Sequence, residues 1–188
     1  MKGSTRIWLM RHLLTTDNKQ GYISGQRDID IDININVDDE KEMVDFSGDV
    51  YSSPLKRCGN TIKKKVNVPQ KKVICDERLL ERNMGIFEGK KRSDLIYQYS
   101  EYFVNKKFNV FLQPPAGETF VEFYERVASF YINIIETRSK DILICSHNQT
   151  LKLLKCLIEK KEVSLDYWCG LNFSNGKIYE IFEGKEKY

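Results

Sequence analysis

Five polar side chains stand at places in the sequence where phosphate chemistry is possible. His12 and His147 are the only histidines of the chain, and each directly follows an apolar run. Arg11 precedes the first histidine, Arg57 follows a Ser-Ser-Pro turn, and Glu81 comes after a further apolar run and its loop. A guanidinium offers a fixed fork of donors to phosphate oxygens, and a neutral imidazole is a nucleophile toward phosphorus. A second, protonated imidazole can neutralise charge, and a carboxylic acid can protonate the leaving oxygen. The set therefore predicts phosphoryl transfer.

Four short apolar runs must position these side chains. They lie at residues 6–10, 50–52, 72–75 and 141–145, and their apolar character is continuous rather than alternating. Such runs are typical of strands that are covered on both faces, as in a parallel sheet. Ligands bind these sheets at the carboxyl ends of the strands, so we expect the candidate side chains to share one crevice.

Helical patterns separate the strands. Residues 54–66, 118–138 and 149–160 carry apolar side chains at spacings of three and four, which predicts amphipathic helices. Residues 178–182 predict a last, edge strand, and residues 29–37 fit either a loop or a strand. Strands that alternate with helices predict an α/β fold, specifically a three-layer α/β/α sandwich with a mostly parallel central sheet.

Composition favours one cytoplasmic domain that spans residues 1–188. The 30 basic and 27 acidic residues leave a net charge of +3, which is too slight to argue for a nucleic-acid partner. No apolar run approaches the length of a membrane span, and the first residues lack the apolar stretch of a signal peptide. The five cysteines show no C-x-x-C spacing, which favours a reducing compartment and gives no indication of a zinc site.

Six short blocks resemble the histidine phosphatase superfamily, also called phosphoglycerate mutase-like. The first keeps the Arg, His, Thr and Asn of an Arg-His-Gly-x-Thr-x-x-Asn pattern, and the third closely matches Tyr-Ser-Ser-Pro-Leu-x-Arg. In family order, the blocks are residues 10–18, 21–28, 50–61, 80–89, 115–119 and 144–147. The resemblance implies the phosphoglycerate mutase-like form of the sandwich and a reaction that needs neither a metal ion nor an organic cofactor.

The resemblance also implies a role for each of the five side chains. His12 would be the nucleophile that becomes phosphohistidine. Arg11, Arg57 and His147 would hold the phosphoryl group. Glu81 would protonate the leaving group and later activate water.

Four further residues are expected to bind the phosphate or the substrate. Asn18 would add a hydrogen bond to the phosphoryl group, and Ser24 and Gly25 would contact the phosphate or the adjoining substrate. Arg82, directly after Glu81, is a mutase-like feature and completes this set.

Three functions remain open at this point. The first is a metal-independent phosphomonoesterase acting on a small phosphorylated metabolite, and the short chain looks most like α-ribazole-5′-phosphate phosphatases and broad sugar-phosphate phosphatases. The second is a phosphoglycerate mutase. The third is a phosphate-binding module with little turnover, because Leu13 and Leu14 replace a glycine and a commonly acidic residue and put apolar bulk at the mouth of the pocket.

Other features bear on the leaving group and on assembly. Asn148 replaces the usual glycine after the second histidine, a mild change because asparagine tolerates left-handed backbone. Aromatic residues between 97 and 111 predict a small helical cap at roughly residues 90–115. A homodimer is an open possibility.

Overall fold

The computed structural model describes residues 5–34 and 43–184. Its strands are β1 (Ile7–Arg11), β2 (Val44–Asp45), β3 (Asp49–Ser52), β4 (Val66–Asn67), β5 (Val73–Cys75), β6 (Phe103–Val104), β7 (Lys107–Phe108), β8 (Ile142–Ser146) and β9 (Ile178–Ile181). Its α-helices are α1 (Thr16–Gln20), α2 (Lys56–Lys65), α3 (Arg92–Gln98), α4 (Phe120–Phe130), α5 (Asn148–Ile158) and α6 (Leu165–Gly170). Each central strand begins and ends within one residue of the apolar run that predicts it.

Five strands form the central sheet in the order β5-β3-β8-β1-β9. The pairs β5–β3, β3–β8 and β8–β1 are parallel, and β9 runs antiparallel to β1 at one edge. The predictions of a mostly parallel sheet and of a last, edge strand are confirmed. The parallel pairing brings the carboxyl ends of β1, β3 and β8 to the same side of the molecule.

The position of β8 in the middle of the sheet explains why its sequence is apolar throughout. Ile142 and Ile144 pack into a cluster with side chains of α4 and α5, whereas Leu143 and Cys145 pack on the other face with side chains of α2. Both faces are thus covered, and the three-layer α/β/α prediction is confirmed. Burial of each large apolar side chain contributes about 1.5–3 kcal/mol, so a polar residue before the end of this strand would be costly.

The helix predicted over residues 118–138 is shorter in the structure, where α4 begins at Phe120 and ends at Phe130. Thr119 caps α4 by accepting from the backbone N–H of Glu122, whose carboxylate accepts from the Thr119 N–H in return. After Phe130 the chain continues as a π-helical turn, Tyr131–Ile135, which an apolar periodicity cannot distinguish from an α-helix.

The segment predicted as a helical cap is only partly helical. It contains α3, a single 3₁₀ turn at Ser100–Tyr102, and a hairpin formed by β6 and β7. The hairpin turn consists of Asn105 and Lys106, both with positive φ, as tight hairpins require. Several aromatic side chains of this segment pack around Phe87 rather than pointing into solvent.

Residues 29–34 form a loop that is joined to the rest of the molecule by a bridge between Ile31 and Thr15, by hydrogen bonds from Asn60 to Asp30 and by an ion pair between Lys19 and Asp32. The remainder of the predicted loop or strand, residues 35–37, lies outside the described residues.

Candidate active site

The five candidate catalytic side chains line one cavity at the carboxyl edge of the central sheet. Arg11 and His12 stand at the end of β1, and His147 directly follows β8. The cavity has a volume of about 680 Å³, and Arg57 and Glu81 also line it. The rings of the two histidines lie with their centroids 5.2 Å apart and their planes tilted by 57°. The crevice expected from the strand ends is therefore present.

The ring of His12 is held in one tautomer. Its Nδ1 lies 2.7 Å from the carbonyl oxygen of Leu13, and a carbonyl can only accept, so Nδ1 carries the proton. The opposite nitrogen, Nε2, is left with its lone pair. Burial, followed by the positive charges of Arg57 and Arg11, lowers the pKa of His12 well below its usual value. His12 is thus a neutral imidazole with an available lone pair.

Arg57 is buried, and main-chain carbonyls hold most of its guanidinium. Nη1 donates to the carbonyl of Arg27 at 2.6 Å, and Nη2 donates to the carbonyl of Gly25 at 2.7 Å. Its Nε donates to Nδ1 of His147 at 3.1 Å. These contacts fix the direction of the fork and tie the 24–27 loop to the end of β8.

His147 is neutral, which differs from the protonated second histidine expected from the chemistry. Its Nδ1 accepts from Arg57, and its Nε2 lies 2.8 Å from the hydroxyl of Ser53. Burial, followed by the charge of Arg57, lowers the pKa of His147 well below its usual value. Because two guanidiniums already supply positive charge here, a third cation would be unfavourable. Both ring nitrogens have partners, so binding of a phosphoryl oxygen by His147 requires one of them to be exchanged.

Arg11 has donors to spare. Its Nη1 donates to the carbonyl of Phe173 at 2.9 Å, whereas its buried Nε has no hydrogen-bond partner within the described part of the chain. Burial lowers the pKa of Arg11, and the nearby carboxyl of Glu81 opposes that shift. A buried unpaired donor is costly unless a ligand satisfies it, so this guanidinium is suited to an anion.

Glu81 is fixed at the start of helix α5. Its Oε1 accepts from the backbone N–H of Arg82 at 3.0 Å and of Thr150 at 3.3 Å, and its Oε2 accepts from that of Gln149 at 3.2 Å. These contacts set the carboxyl group in the cavity wall, where it can exchange a proton with a bound group.

Asn18, Ser24 and Gly25 line the cavity as well. Oδ1 of Asn18 accepts from the backbone N–H of Thr15, so its amide NH₂ is the part available to a phosphate. The hydroxyl of Ser24 donates to Asp17 at 3.2 Å. Gly25 has a φ of +50°, which favours glycine, and a Cβ there would lie 2.1 Å from Oε1 of Glu88 and would displace that side chain.

Arg82 does not line the cavity, and its predicted contact with phosphate or substrate needs correction. The side chain is fully buried, and its guanidinium donates to the carbonyls of Val110, Leu112 and Glu118. Burial lowers its pKa to about 10. Arg82 follows Glu81 in sequence but points the other way, and it holds the 110–118 segment in place.

The residues that depart from the family pattern are accommodated. Leu13 is buried, has no positive φ, and donates its N–H to the hydroxyl of Thr61, so it adds no bulk to the cavity. Leu14 does line the cavity. Oδ1 of Asn148 accepts from the backbone N–H of Phe173 at 3.2 Å. Asn148 thereby positions the segment whose carbonyl holds Arg11.

One part of the cavity wall was not predicted from the sequence. It includes Lys107 on β7, Lys152 on α5, and Asn172 and Asn175 in the loop after α6. Nδ2 of Asn175 donates to the carbonyl of His12 at 2.8 Å. One signal was available: Lys152 interrupts the apolar run of α5, which places a charge on a face that should be buried.

Within residues 5–34 and 43–184, no cluster of three or more His, Cys, Asp or Glu side chains could hold a metal ion. No helix in the same two ranges is long and apolar enough to cross a membrane. The cofactor-free reaction and the cytoplasmic location stay predictions.

Comparison with known proteins adds to this geometry. Residues 7–187 match the family model described as histidine phosphatase superfamily (branch 1). A protein of Hydrogenobacter thermophilus named "Putative phosphoserine phosphatase 2" is 28% identical over 190 residues, which cover 97% of this chain and 91% of the relative. A 2,3-bisphosphoglycerate-dependent phosphoglycerate mutase of Methanosarcina mazei is 30% identical over 113 residues, which cover 57% of this chain and 46% of the mutase.

Among solved structures, the α-ribazole phosphatase from Shigella flexneri superimposes with a TM-score of 0.74 at 24% sequence identity. The superposition covers 94% of this chain and 89% of that chain. At this identity the likeness supports the fold, and the chemistry must be argued from the side chains.

Proposed function

The chain belongs to the histidine phosphatase superfamily (branch 1) and is a histidine-type phosphatase, and we propose that it hydrolyses phosphomonoesters of small metabolites through a phosphoryl group carried on His12. The observation that carries this proposal is the bond from His12 Nδ1 to the Leu13 carbonyl. It leaves Nε2 unprotonated in a cavity that the guanidiniums of Arg11 and Arg57 also line.

In the first step, the lone pair of His12 Nε2 attacks phosphorus, and the bond from phosphorus to the ester oxygen breaks. Arg11 and Arg57 stabilise the charge on the phosphoryl oxygens, and the carboxyl of Glu81 gives its proton to the leaving alcohol. In the second step, water attacks phosphorus while Glu81 takes a proton from the water, and the bond from phosphorus to Nε2 of His12 breaks. Inorganic phosphate and neutral His12 result.

The charge balance supports a reaction without a metal ion. A phosphate monoester is close to a dianion at neutral pH, and two guanidiniums supply two positive charges in a largely buried setting. We therefore expect a chelator to leave the rate unchanged.

The binding-module alternative rests on Leu13 and Leu14, and it retains only half of that support, because Leu14 lines the cavity whereas Leu13 is buried and does not. The phosphoglycerate mutase alternative retains one specific observation, since three further cations line the far end of the cavity. Isomerisation of 3-phosphoglycerate after priming with a bisphosphate would favour the mutase.

A phosphate-release screen over metabolite monophosphates and an aryl phosphate, with His12→Ala as the blank, tests the proposal. Removal of a nucleophile is expected to lower kcat/KM by about 10⁴-fold or more. If the substituted protein kept more than a tenth of the wild-type rate, the assignment of His12 would be wrong.

A further inference from the structure

Charge is distributed unevenly along the cavity. Its lining, among the described residues, contains five cationic side chains and one carboxylate, that of Glu81. Two of the cations are the guanidiniums assigned to the phosphoryl group. The other three, Arg92, Lys107 and Lys152, have no role in that chemistry and lie on α3, β7 and α5.

Lys152 is a buried ammonium group whose described partners are uncharged. It is 7% exposed, its Nζ donates to the carbonyl of Trp168 at 3.0 Å, and it lies 5.4 Å from the centroid of the Trp168 ring. Burial, which is the largest cause, lowers its pKa to about 8. Burying a charge is costly unless it is paired with an opposite charge. The carboxyl of Glu81 opposes the shift in the pKa of Lys152, but backbone N–H groups hold that carboxyl and it forms no ion pair with Lys152 within the described residues.

Lys107 brings a second ammonium group to the same place. Its Nζ donates to the carbonyl of Cys169, which follows Trp168 in the last turn of α6. The two ammonium groups are therefore anchored on consecutive carbonyls, and the charge of Lys107 further lowers the pKa of Lys152. Like charges held this close repel each other, and an anion bound between them would relieve the repulsion.

Arg92 adds a third positive charge at the first residue of α3. The Arg92 side chain reaches solvent, but partial burial of the guanidinium lowers the pKa of Arg92. No carboxylate contributes to that shift. Its charge also acts on Lys152. Three cations from three elements thus converge where the leaving group of a phosphate ester held at His12 would lie.

We propose that Lys152, Lys107 and Arg92 form a second anion subsite that binds a carboxylate carried by the leaving alcohol. This inference rests on the proposed function, because it places the ester phosphate at the other end of the cavity. After its bond to a carbonyl, each lysine ammonium retains two donors. Two adjacent ammonium groups suit the two oxygens of one carboxylate.

Matched substrate pairs test the subsite. O-phosphoserine and phosphoethanolamine differ by a carboxyl group, and 3-phosphoglycerate and glycerol 3-phosphate differ by a carboxylate in place of a hydroxymethyl group. We expect kcat/KM to favour the carboxylated member of each pair by about tenfold or more, mainly through KM, as for one charge-assisted hydrogen bond. In Lys152→Met, this ratio should fall toward one.

The ratio of kcat/KM between the two members of a substrate pair, measured in one variant, separates a binding role of Lys152 from a structural role. If Lys152 only anchors the end of α6, its substitution will lower both members of a pair equally, and the unchanged ratio would overturn the proposal. Lys155→Met is the matched control, since Lys155 lies on the same helix, pairs with Glu159 and does not line the cavity. It should keep the wild-type ratio.

Calorimetric binding to His12→Ala protein separates failure of the subsite from failure of the proposed function. If no ester is hydrolysed by the wild-type protein but 3-phosphoglycerate binds at least tenfold tighter than glycerol 3-phosphate, the subsite stands and the proposed function fails. If esters are hydrolysed and the two compounds bind equally, the proposed function stands and the subsite is wrong.

Discussion

The two ends of the cavity are built in different ways. At the phosphoryl end, His12 and Arg57 are buried, and main-chain carbonyls hold both of them. At the leaving-group end, Lys107 and Arg92 are exposed, and neither side chain forms an ion pair with a carboxylate of the described lining. We therefore propose that the backbone fixes the groups that carry out the reaction, whereas side chains on peripheral elements set the choice of substrate.

The largest effect is expected when the rigid phosphoryl end is loosened at Arg57. Arg57→Lys keeps a positive charge but loses the fork that reaches Gly25, Arg27 and His147 together. We expect kcat/KM to fall by about 100-fold for every ester, because an electrostatic contact to the transition state is removed. Steady-state kinetics on an aryl phosphate and on 3-phosphoglycerate measure this loss.

Arg27→Lys is the matched control for that substitution. The Arg27 side chain forms an exposed ion pair with Asp17 and does not line the cavity, so a change of less than about twofold is expected. An equal loss in both variants would contradict the role given to Arg57.

A smaller effect is expected when the hydrogen bond between Asn148 and the Phe173 backbone is removed. Asn148→Ala removes the acceptor for the Phe173 N–H, and the Phe173 carbonyl holds Arg11. Loss of one hydrogen bond of about 1 kcal/mol would lower kcat/KM by about fivefold. Asn133→Ala, at an exposed position on the π-helical turn, should have no effect. A loss confined to carboxylated esters would instead place Asn148 at the leaving-group end.

The smallest expected effect concerns pH. Because its surroundings lower the pKa of His12, the imidazole stays neutral as pH falls through its ordinary value. With an aryl phosphate, whose leaving group does not need the acid, and after correction for substrate ionisation, kcat/KM should fall by less than about twofold from pH 7 to 5.5. An ordinary imidazole would give a loss of roughly eightfold. An acid limb near pH 6.5 would show that His12 is not desolvated as the structure indicates.

Sequence predicted the rigid end well because its residues stand directly at strand ends. His12 and His147 follow apolar runs that must be buried, and parallel pairing then brings them together. The same reasoning failed for Arg82, because neighbours in an extended segment point in opposite directions and sequence order does not say which one faces the cavity. Lys152 and Asn175 escaped prediction since their places depend on how α6 and the following loop pack.

Prediction of the fold also succeeded for the central strands and failed for a peripheral segment. Continuous apolar runs predicted the central strands to within a residue, because burial on both faces leaves little choice of side chain. The hairpin of β6 and β7 was mistaken for a helix, since four residues and a two-residue turn carry little periodicity.

The most direct test of nucleophilic attack by His12 is to trap the phosphorylated enzyme in Glu81→Gln. An aryl phosphate has a good leaving group, so phosphorylation of the protein does not need the acid, whereas hydrolysis of the phosphoenzyme still needs the base. During turnover followed by an alkaline quench, peptide mass mapping should find the phosphoryl group on His12. Turnover with the phosphoryl group on another residue, or on none, would contradict nucleophilic attack by His12.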